Sequence, residues 1–323
     1  MKIAILDDYQ DAVSKLDCFD LLAEHDVQVL TQTYEDPEEL ASKLAGVEAL
    51  VLIRERTRIT DALLSYLPDL KLISQTGKVS NHIDPALCAR HGVAVAEGIG
   101  SPVAPSELCW ALIMAASRRI PEYVQQLELN HWQQCATPGL GRSLDGLTLG
   151  IWGYGKIGQR IAQYARAFGM NVLVWGSKTS RQKAFEDGFA AAESKTEFFS
   201  EADILSLHLR LNDATRAIVT REDLALMKPG SLFVNISRAE LVEPGALLAE
   251  MTQRTDKYAA LDVFEAEPAT PQNEPLMRLP NVLCTPHIGY VEQNSYELYF
   301  RVAFENLLAY AKGHPSNLVS ANG

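Results

Sequence analysis

Residues 148–158 read Thr148-Leu-Gly-Ile-Trp-Gly-Tyr-Gly-Lys-Ile-Gly158, and this stretch decides the fold of the chain. A short apolar run leads into the spacing Gly153-x-Gly155-x-x-Gly158, and a helical apolar pattern follows as far as Phe168. Strand, glycine turn and helix in this order predict a turn that binds the pyrophosphate of a dinucleotide. Gly153 permits the tight turn, Gly155 lets the backbone approach the phosphates, and Gly158 lets the helix pack closely on the strand.

The first turn of the following helix completes this predicted cofactor site. Tyr154, Lys156 and Ile157 lie between the glycines, so we expect their backbone N–H groups and the positive end of the helix to face the phosphates.

Length and composition limit the class of protein. The chain has 323 residues, which is enough for two domains, and a net charge of −12 argues against nucleic acid or an anionic membrane as a partner. No apolar run has the length of a membrane span, and Met1–Asp8 is too short and acidic for a signal peptide. The five cysteines lack CxxC spacing, which predicts reduced thiols, no zinc site and a cytoplasmic location.

Short apolar runs alternate with helical patterns in both halves of the chain. This alternation predicts an α/β protein with two doubly wound parallel sheets, the first flavodoxin-like and the second a Rossmann fold. We expect one domain over residues 1–99 and 291–323, and a dinucleotide-binding domain over residues 100–290. Between the halves, Ser106 is expected to cap a long helix that runs to Pro121.

Four residues follow strands of the first half and are candidate anion ligands. Arg54 follows the third predicted strand, and Thr76, Gly77 and Lys78 follow the fourth. Ligands of open α/β sheets bind at this carboxyl edge. A guanidinium and free backbone N–H groups suit a carboxylate or a phosphate, although Arg54 is equally consistent with a solvated surface charge.

The second half places one cation, one carboxylate and one histidine after three strands. Arg238 ends Asn-Ile-Ser-Arg, Glu267 ends Asp262-Val-Phe-Glu-Ala-Glu, and His287 lies in Thr-Pro-His-Ile-Gly. Reduction of a carbonyl by a hydride needs a cation for the substrate, a general acid titrating near neutral pH and a group that orients that acid. These three side chains meet the three needs.

Several motifs in the same order resemble the D-isomer-specific 2-hydroxyacid dehydrogenase family, which includes 3-phosphoglycerate dehydrogenases and glyoxylate/hydroxypyruvate reductases. The resemblance lies in TLGIWGYGKIGQRIA, LSLHLRLNDATRAIV, LALMKPGSLFVNISRAELV, LDVFEAEP and VLCTPHIG, and it covers nearly the whole chain. It implies a first domain that binds substrate and a catalytic triad of Arg238, Glu267 and His287. It also implies that Asp262 holds the nicotinamide side of the cofactor.

The resemblance further implies an NAD(P)(H)-dependent oxidoreductase acting on a small 2-keto or D-2-hydroxy acid. It implies a homodimer formed through the cofactor domains, with residues 121–141 as the contact. Phosphoglycerate dehydrogenases often carry a C-terminal regulatory domain, and we expect none here. The alternative is a dinucleotide-sensing binding protein like the corepressors that share this architecture.

Four positions depart from the pattern of the family, namely Gly176, Ala239, Tyr290 and Arg210, and two of them bear on the cofactor and the substrate. The acidic residue that anchors the cofactor ribose is replaced by Gly176, eighteen residues after Gly158. Ser177, Lys178 and Arg181 follow and could bind a 2′-phosphate, which favours NADP(H), although a solvated loop with NAD is nearly as consistent. Tyr290 stands where the family usually has glycine, and we expect it to contact the substrate.

Overall fold

The computed structural model describes residues 1–135 and 139–320. It divides the chain into two compact units, the first comprising Met1–Ser101 and Val291–Gly323 and the second Pro102–Tyr290.

The strands in chain order are β1 Lys2–Ile5, β2 Asp26–Val29, β3 Ala49–Leu52, β4 Leu72–Gln75, β5 Ala94–Ala96, β6 Thr148–Trp152, β7 Asn171–Trp175, β8 Ala190–Ala191, β9 Ile204–Leu207, β10 Leu232–Asn235, β11 Tyr258–Leu261 and β12 Val282–Cys284. The α-helices are α1 Pro37–Lys43, α2 Asp61–Ser65, α3 Pro85–Arg90, α4 Val103–Ser117, α5 Ile120–Glu128, α6 Lys156–Ala167, α7 Lys178–Glu186, α8 Lys195–Glu201, α9 Arg221–Leu226, α10 Ala246–Gln253 and α11 Gln293–Ala311.

The first unit contains a five-stranded parallel sheet in the order β2-β1-β3-β4-β5. Strands β3 and β4 are buried at every position, which is why they read as unbroken apolar runs in the sequence. Side chains at the amino ends of α1, α2 and α3 cap these helices, and each accepts a hydrogen bond from the first turn. Helix α11 packs beside β4, where the carbonyl oxygen of Ala303 accepts a hydrogen bond from Ser74 Oγ at 2.9 Å.

The second unit contains a seven-stranded parallel sheet in the order β12-β11-β10-β9-β6-β7-β8. The strand order reverses between β6 and β9, and in such sheets ligands bind at the carboxyl ends on either side of this reversal. One core lies between the sheet and α4 and α6, and another lies between the opposite face and α8, α9 and α10. The prediction of two doubly wound parallel sheets is confirmed.

The helix expected from Ser106 to Pro121 is different in the structure. Helix α4 begins three residues earlier, and Ser106 lies inside it, buried, with its hydroxyl donating to the carbonyl oxygen of Pro102 at 2.5 Å. Arg119 then adopts a left-handed backbone with φ of 53°, which separates α4 from α5. The cap predicted at Ser106 was therefore wrong, and the segment forms two helices.

Candidate active site

The glycine turn after β6 has the geometry that its spacing predicts. Gly153 has φ of 103°, and a Cβ added there would lie 2.5 Å from the carbonyl oxygen of His208. A Cβ added at Gly158 would lie 2.2 Å from the carbonyl oxygen of Gly153, so only glycine lets α6 approach the turn. A Cβ at Gly155 would meet no heavy atom within 4 Å, and this open space lies at the amino end of α6.

The side chains between these glycines divide between the core and the surface. Tyr154 is buried, its ring packs edge-on against Phe189, and its hydroxyl donates to Asp187 Oδ2 at 3.1 Å. Lys156 is exposed and Ile157 is half-buried against the core. The predicted phosphate contacts at Tyr154 and Ile157 can therefore come only from the backbone.

The loop after β7 holds the residues that bear on cofactor choice. Gly176 has φ of 148°, and Ser177 caps α7 by accepting a hydrogen bond from Ser180 N at 3.2 Å. Lys178 is exposed in the first turn of α7. The guanidinium of Arg181 lies 4.8 Å from the ring centre of Trp175 and donates to the carbonyl oxygen of Ala192 at 3.3 Å. Nη1 of Arg181 is therefore already engaged by the backbone of Ala192.

The three candidate catalytic residues follow three neighbouring strands. Arg238 comes three residues after β10, Glu267 six after β11 and His287 three after β12. Since β10, β11 and β12 pair in parallel, these residues lie at the same edge of the second sheet. This is also the edge that carries the glycine turn.

Glu267 and His287 are in direct contact. Oε2 of Glu267 lies 2.7 Å from Nδ1 of His287, and Oε1 accepts a hydrogen bond from the backbone N–H of Phe264 at 2.9 Å. The carboxylate is therefore held through both oxygens. Side-chain exposures of 22% for His287 and 33% for Glu267 leave the imidazole accessible.

Arg238 is placed by its own loop. Asn235, which is 2% exposed, donates from Nδ2 to the carbonyl oxygen of Arg238 at 2.8 Å. Nη1 of Arg238 donates to the carbonyl oxygen of Ser237 at 2.7 Å. The sequence reasoning missed Asn235, although an amide at the end of a buried strand is a signal for such a loop anchor.

Asp262 is 1% exposed and fastens the loop that carries His287. Its carboxylate accepts hydrogen bonds from Thr285 Oγ1 at 2.6 Å, from Ile288 N at 2.8 Å and from Gly289 N at 2.9 Å. Burial raises the pKa of Asp262 above its usual value, although these hydrogen bonds oppose the shift. These three partners of the Asp262 carboxylate all belong to the segment 285–289. A hydrogen bond to the nicotinamide would have to be made in addition to them.

Near this edge lie Tyr290, predicted from the sequence as a substrate contact, and His208, to which the sequence assigned no role. Tyr290 is only 8% exposed, and its ring lies 5.6 Å from that of His287 at an interplanar angle of 78°. His208 follows β9, with Nε2 3.0 Å from Ser206 Oγ, and burial lowers the pKa of His208 to about 4. Ser206 Oγ in turn lies 3.3 Å from Cys109 Sγ. Because its pKa is lowered to about 4, His208 is neutral at physiological pH.

In the first unit, the structure brings Arg54, Thr76 and Gly77 together. Thr76 is 1% exposed, and its hydroxyl accepts from Arg54 N at 3.0 Å and donates to the carbonyl oxygen of Leu52 at 2.8 Å. A Cβ at Gly77, which has φ of 106°, would lie 2.0 Å from Arg54 Nη1. Glycine at position 77 thus leaves room for the guanidinium, while the Thr76 hydroxyl is already occupied by backbone groups.

Lys78, the fourth predicted anion ligand, is paired with an acid. Its Nζ donates to Glu97 Oε1, and the other oxygen of Glu97 accepts a hydrogen bond from Val79 N at 3.3 Å. The lysine side chain is 67% exposed, so this ion pair is screened by solvent and easily exchanged.

Across residues 1–135 and 139–320, no group of three His, Cys, Asp or Glu side chains is arranged to hold a metal ion. Within the same ranges, no helix has the length and apolar character that crossing a membrane requires.

Comparison with known proteins identifies the family. The family model for the D-isomer specific 2-hydroxyacid dehydrogenase, NAD binding domain, matches residues 110–289. The chain belongs to the D-isomer specific 2-hydroxyacid dehydrogenase family. A glyoxylate reductase of Aeropyrum pernix is 36% identical over 304 residues, which cover 92% of this chain and 90% of that protein. The family resemblance read from the motifs is therefore confirmed.

Two other similar proteins extend the comparison. A D-3-phosphoglycerate dehydrogenase of Methanocaldococcus jannaschii is 32% identical over 85% of this chain, and the match spans only 52% of that longer protein. The crystal structure of a phosphoglycerate oxidoreductase from Vibrio cholerae O395 has 64% sequence identity and a TM-score of 0.95 over 97% of this chain and 99% of that chain.

Proposed function

We propose that this chain catalyses reversible hydride transfer between NAD(P)(H) and a small 2-keto acid, giving the matching D-2-hydroxy acid. The observation that carries the proposal is the contact of 2.7 Å between His287 Nδ1 and Glu267 Oε2. This carboxylate–imidazole pair lies at the carboxyl edge of the sheet that also carries the glycine turn.

The second unit has the features that a dinucleotide requires. Gly155 leaves open space at the amino end of α6, and the close approaches at Gly153 and Gly158 explain why those two positions also lack side chains. The NAD binding domain of the family matches residues 110–289, which supports the second unit as the cofactor domain and the first as the substrate domain. When bound, the reduced nicotinamide supplies the hydride.

His287 would move the proton. In the reducing direction, Nε2–H of the imidazolium donates its proton to the carbonyl oxygen as the hydride adds to the carbonyl carbon, so that C=O becomes CH–OH. In the oxidising direction, neutral Nε2 accepts the hydroxyl proton. Glu267 keeps the proton of Nδ1 in place and stabilises the imidazolium by its opposite charge.

Arg238 would bind the carboxylate of the substrate and polarise its carbonyl group. A planar guanidinium can donate two parallel hydrogen bonds to a carboxylate, which an ammonium group cannot. The hydrogen bond from Asn235 to the backbone of Arg238 supports this role because it fixes the loop from which the side chain extends.

Arg54 and the backbone of Gly77 are proposed as contacts for the rest of the substrate. The guanidinium lies against Gly77 at the carboxyl end of β3 and β4, where it could bind a second anionic group. Thr76 would support this loop through its backbone bonds, and Lys78 would need to leave Glu97 before it could bind an anion.

A panel of substrates tests the proposed reaction. Glyoxylate, hydroxypyruvate and pyruvate would be assayed for reduction, and D-3-phosphoglycerate and D-glycerate for oxidation, each with both nicotinamide cofactors. Turnover of at least one 2-keto acid that is lost in His287→Gln is the expected result. If no compound is turned over while NADH still binds and recruits another protein, a dinucleotide-sensing binding protein is the better assignment.

NADP(H) is proposed as an accepted and preferred cofactor. The position of the usual acidic ribose anchor is Gly176, so no carboxylate would repel a 2′-phosphate there. Ser177 and Lys178 supply a hydroxyl and a cation in the same loop, and Arg181 adds a second cation, of which Nη1 is engaged by Ala192. A higher kcat/KM with NADH than with NADPH would overturn this preference.

A homodimer is proposed through residues 121–141, of which 136–138 lie outside the described residues. The flanking and included apolar side chains are highly exposed: Ile120 50%, Val124 51%, Leu127 55%, Leu129 58%, Trp132 75% and Leu140 87%. Such a concentration of exposed apolar area marks an interaction surface, and family membership favours a second copy of the chain as its partner.

Light scattering coupled to gel filtration tests the homodimer. Wild type should have twice the chain mass of 35.6 kDa, and Leu127→Glu should reduce this to a single chain. Phe185→Glu is the matched control because Phe185 is 72% exposed but lies outside this segment. A wild-type mass of one chain would refute the dimer.

A further inference from the structure

We propose that Tyr290 is a positioning residue for His287, and that it acts by holding the imidazole ring and not by contacting the substrate. This inference deepens the proposed function and depends on His287 as the proton donor. It revises the expectation from the sequence, in which Tyr290 was a substrate contact.

The contact between the two rings is well formed. Their centroids lie 5.6 Å apart at 78°, which is the T-shaped arrangement that aromatic rings favour because an edge of one faces the negative face of the other. Tyr290 is 8% exposed, whereas the side chain of His287 is 22% exposed. Tyr290 is therefore the more buried of the two residues, and the imidazole is the more accessible ring.

The hydrogen bond to Glu267 restrains the imidazole at one of its two nitrogens. Within the tolerance of that hydrogen bond, small rotations about χ1 and χ2 would still change the direction of Nε2. The T-shaped contact with Tyr290 restrains these rotations. Together the two contacts determine the direction in which Nε2 points.

The backbone that joins the two rings is also fixed. His287 has a left-handed backbone with φ of 51°, and Asp262 accepts hydrogen bonds from the N–H groups of Ile288 and Gly289. A Cβ added at Gly289 would lie 3.2 Å from Asp262 Oδ2, so the turn is held tightly against this carboxylate. The ring of Tyr290, three residues after His287 in the chain, is thus presented to the imidazole from a turn that Asp262 holds in place.

The consequence concerns the chemical step. A proton donor must keep its nitrogen aligned with the carbonyl oxygen, and a small misplacement of a catalytic group can slow a reaction by about a hundredfold. Loss of the Tyr290 ring should therefore lower kcat, with little effect on cofactor binding or on KM for the keto acid.

Three variants test this assignment. Tyr290→Phe keeps the ring and should retain kcat within about threefold, whereas Tyr290→Leu keeps bulk without a ring and should lose about tenfold or more. Tyr164→Leu is the matched control because Tyr164 makes a similar T-shaped contact with Trp110, at 5.8 Å and 66°, away from His287. Melting temperature and NADH affinity report whether each variant is folded.

Two readouts separate positioning from a general structural role. The primary deuterium isotope effect on kcat should rise in Tyr290→Leu, because hydride transfer becomes more rate-limiting, and it should not rise in Tyr164→Leu. In the NMR spectrum of the wild type, the ring protons of His287 should show a ring-current shift that is retained in Tyr290→Phe and lost in Tyr290→Leu. The NMR readout holds even if the protein turns over no keto acid.

Three outcomes would overturn the inference. A rise in KM for the keto acid in Tyr290→Leu with unchanged kcat would make Tyr290 a substrate contact. Equal losses in Tyr290→Phe and Tyr290→Leu would assign the effect to the hydroxyl. His287 ring protons that are unaffected by Tyr290→Leu would show that the rings do not interact. Failure of the proposed function would appear differently, as no turnover of any keto acid by the wild type or as full turnover in His287→Gln.

Discussion

Glu267 holds His287 through one carboxylate oxygen while the other oxygen is bound by the backbone of Phe264. The distances are 2.7 Å from Oε2 to Nδ1 and 2.9 Å from Phe264 N to Oε1. The carboxylate cannot rotate away from the imidazole without losing the second hydrogen bond. The pair is consequently prearranged, and its electrostatic effect on His287 is available before substrate binds.

Glu267→Gln should therefore impair catalysis without unfolding the site. The side-chain oxygen of glutamine can still accept the hydrogen bond from Phe264 N. The negative charge is lost, however, and the amide no longer requires His287 to carry a proton on Nδ1. We expect kcat to fall by roughly a hundredfold, within the range that acid–base residues contribute, and NADH affinity to stay within about twofold of wild type. Stopped-flow reduction of the keto acid and fluorescence titration of NADH measure the two quantities. Unchanged kcat would remove Glu267 from the mechanism.

The glycine turn allows binding and folding effects to be separated. Gly155→Ala places a methyl group where no heavy atom lies within 4 Å, so the melting temperature should stay near the wild-type value while NADH affinity falls at least about tenfold, since the methyl group would lie against the phosphates. Gly158→Ala places a methyl group 2.2 Å from a carbonyl oxygen. It should lower both affinity and stability, by roughly 2 kcal/mol or more in stability. Equal stability losses in the two variants would contradict this account.

The elements that could be predicted from sequence are those whose signal is local. Buried parallel strands such as β3 and β4 read as continuous apolar runs, and the residues after each strand could be assigned to one sheet edge. The two-residue strand β8 was too short to give such a pattern. The glycine motif could be recognised because the absence of a side chain is required locally, for the backbone turn, for the approach of the phosphates and for helix packing.

Features that depend on tertiary contacts could not be predicted. Arg119 interrupts the helix expected to reach Pro121, and nothing about arginine favours its left-handed backbone. Its guanidinium is held by the carbonyl oxygen of Gly139 at 3.3 Å and by the hydroxyl of Tyr258. The ring contact between Tyr290 and His287 could not be predicted either, because residue spacing alone does not reveal the orientation of either ring.

Ser177 offers a clean test of cofactor preference. Aspartate caps helices as well as serine does, so Ser177→Asp should preserve the cap on α7 that now bonds Ser180 N at 3.2 Å. The added charge should repel a 2′-phosphate and raise the Kd for NADPH about tenfold, with little effect on NADH. Ser177→Asn is the control because it caps equally well without charge. Similar Kd values for NADPH in the two variants would show that the 2′-phosphate binds elsewhere.

His208 should make the second unit less stable in mild acid. Burial lowers its pKa from 6.5 to about 4 in the folded protein, so between these values the unfolded chain binds more protons than the folded chain. The free energy of unfolding is therefore unaffected by His208 above pH 6.5, and it decreases as the pH falls from 6.5 toward 4. Between pH 7 and pH 5 the loss should be about 2 kcal/mol.

Urea unfolding followed by tryptophan fluorescence measures this effect in the second unit, because all four tryptophans of the chain lie within Pro102–Tyr290. His208→Gln should remove most of the difference between the two pH values, since glutamine does not titrate. His314→Gln, which changes an exposed histidine of the first unit, should leave the difference as it is in wild type. Parallel pH dependences for wild type and His208→Gln would mean that the protonation of His208 is not coupled to unfolding.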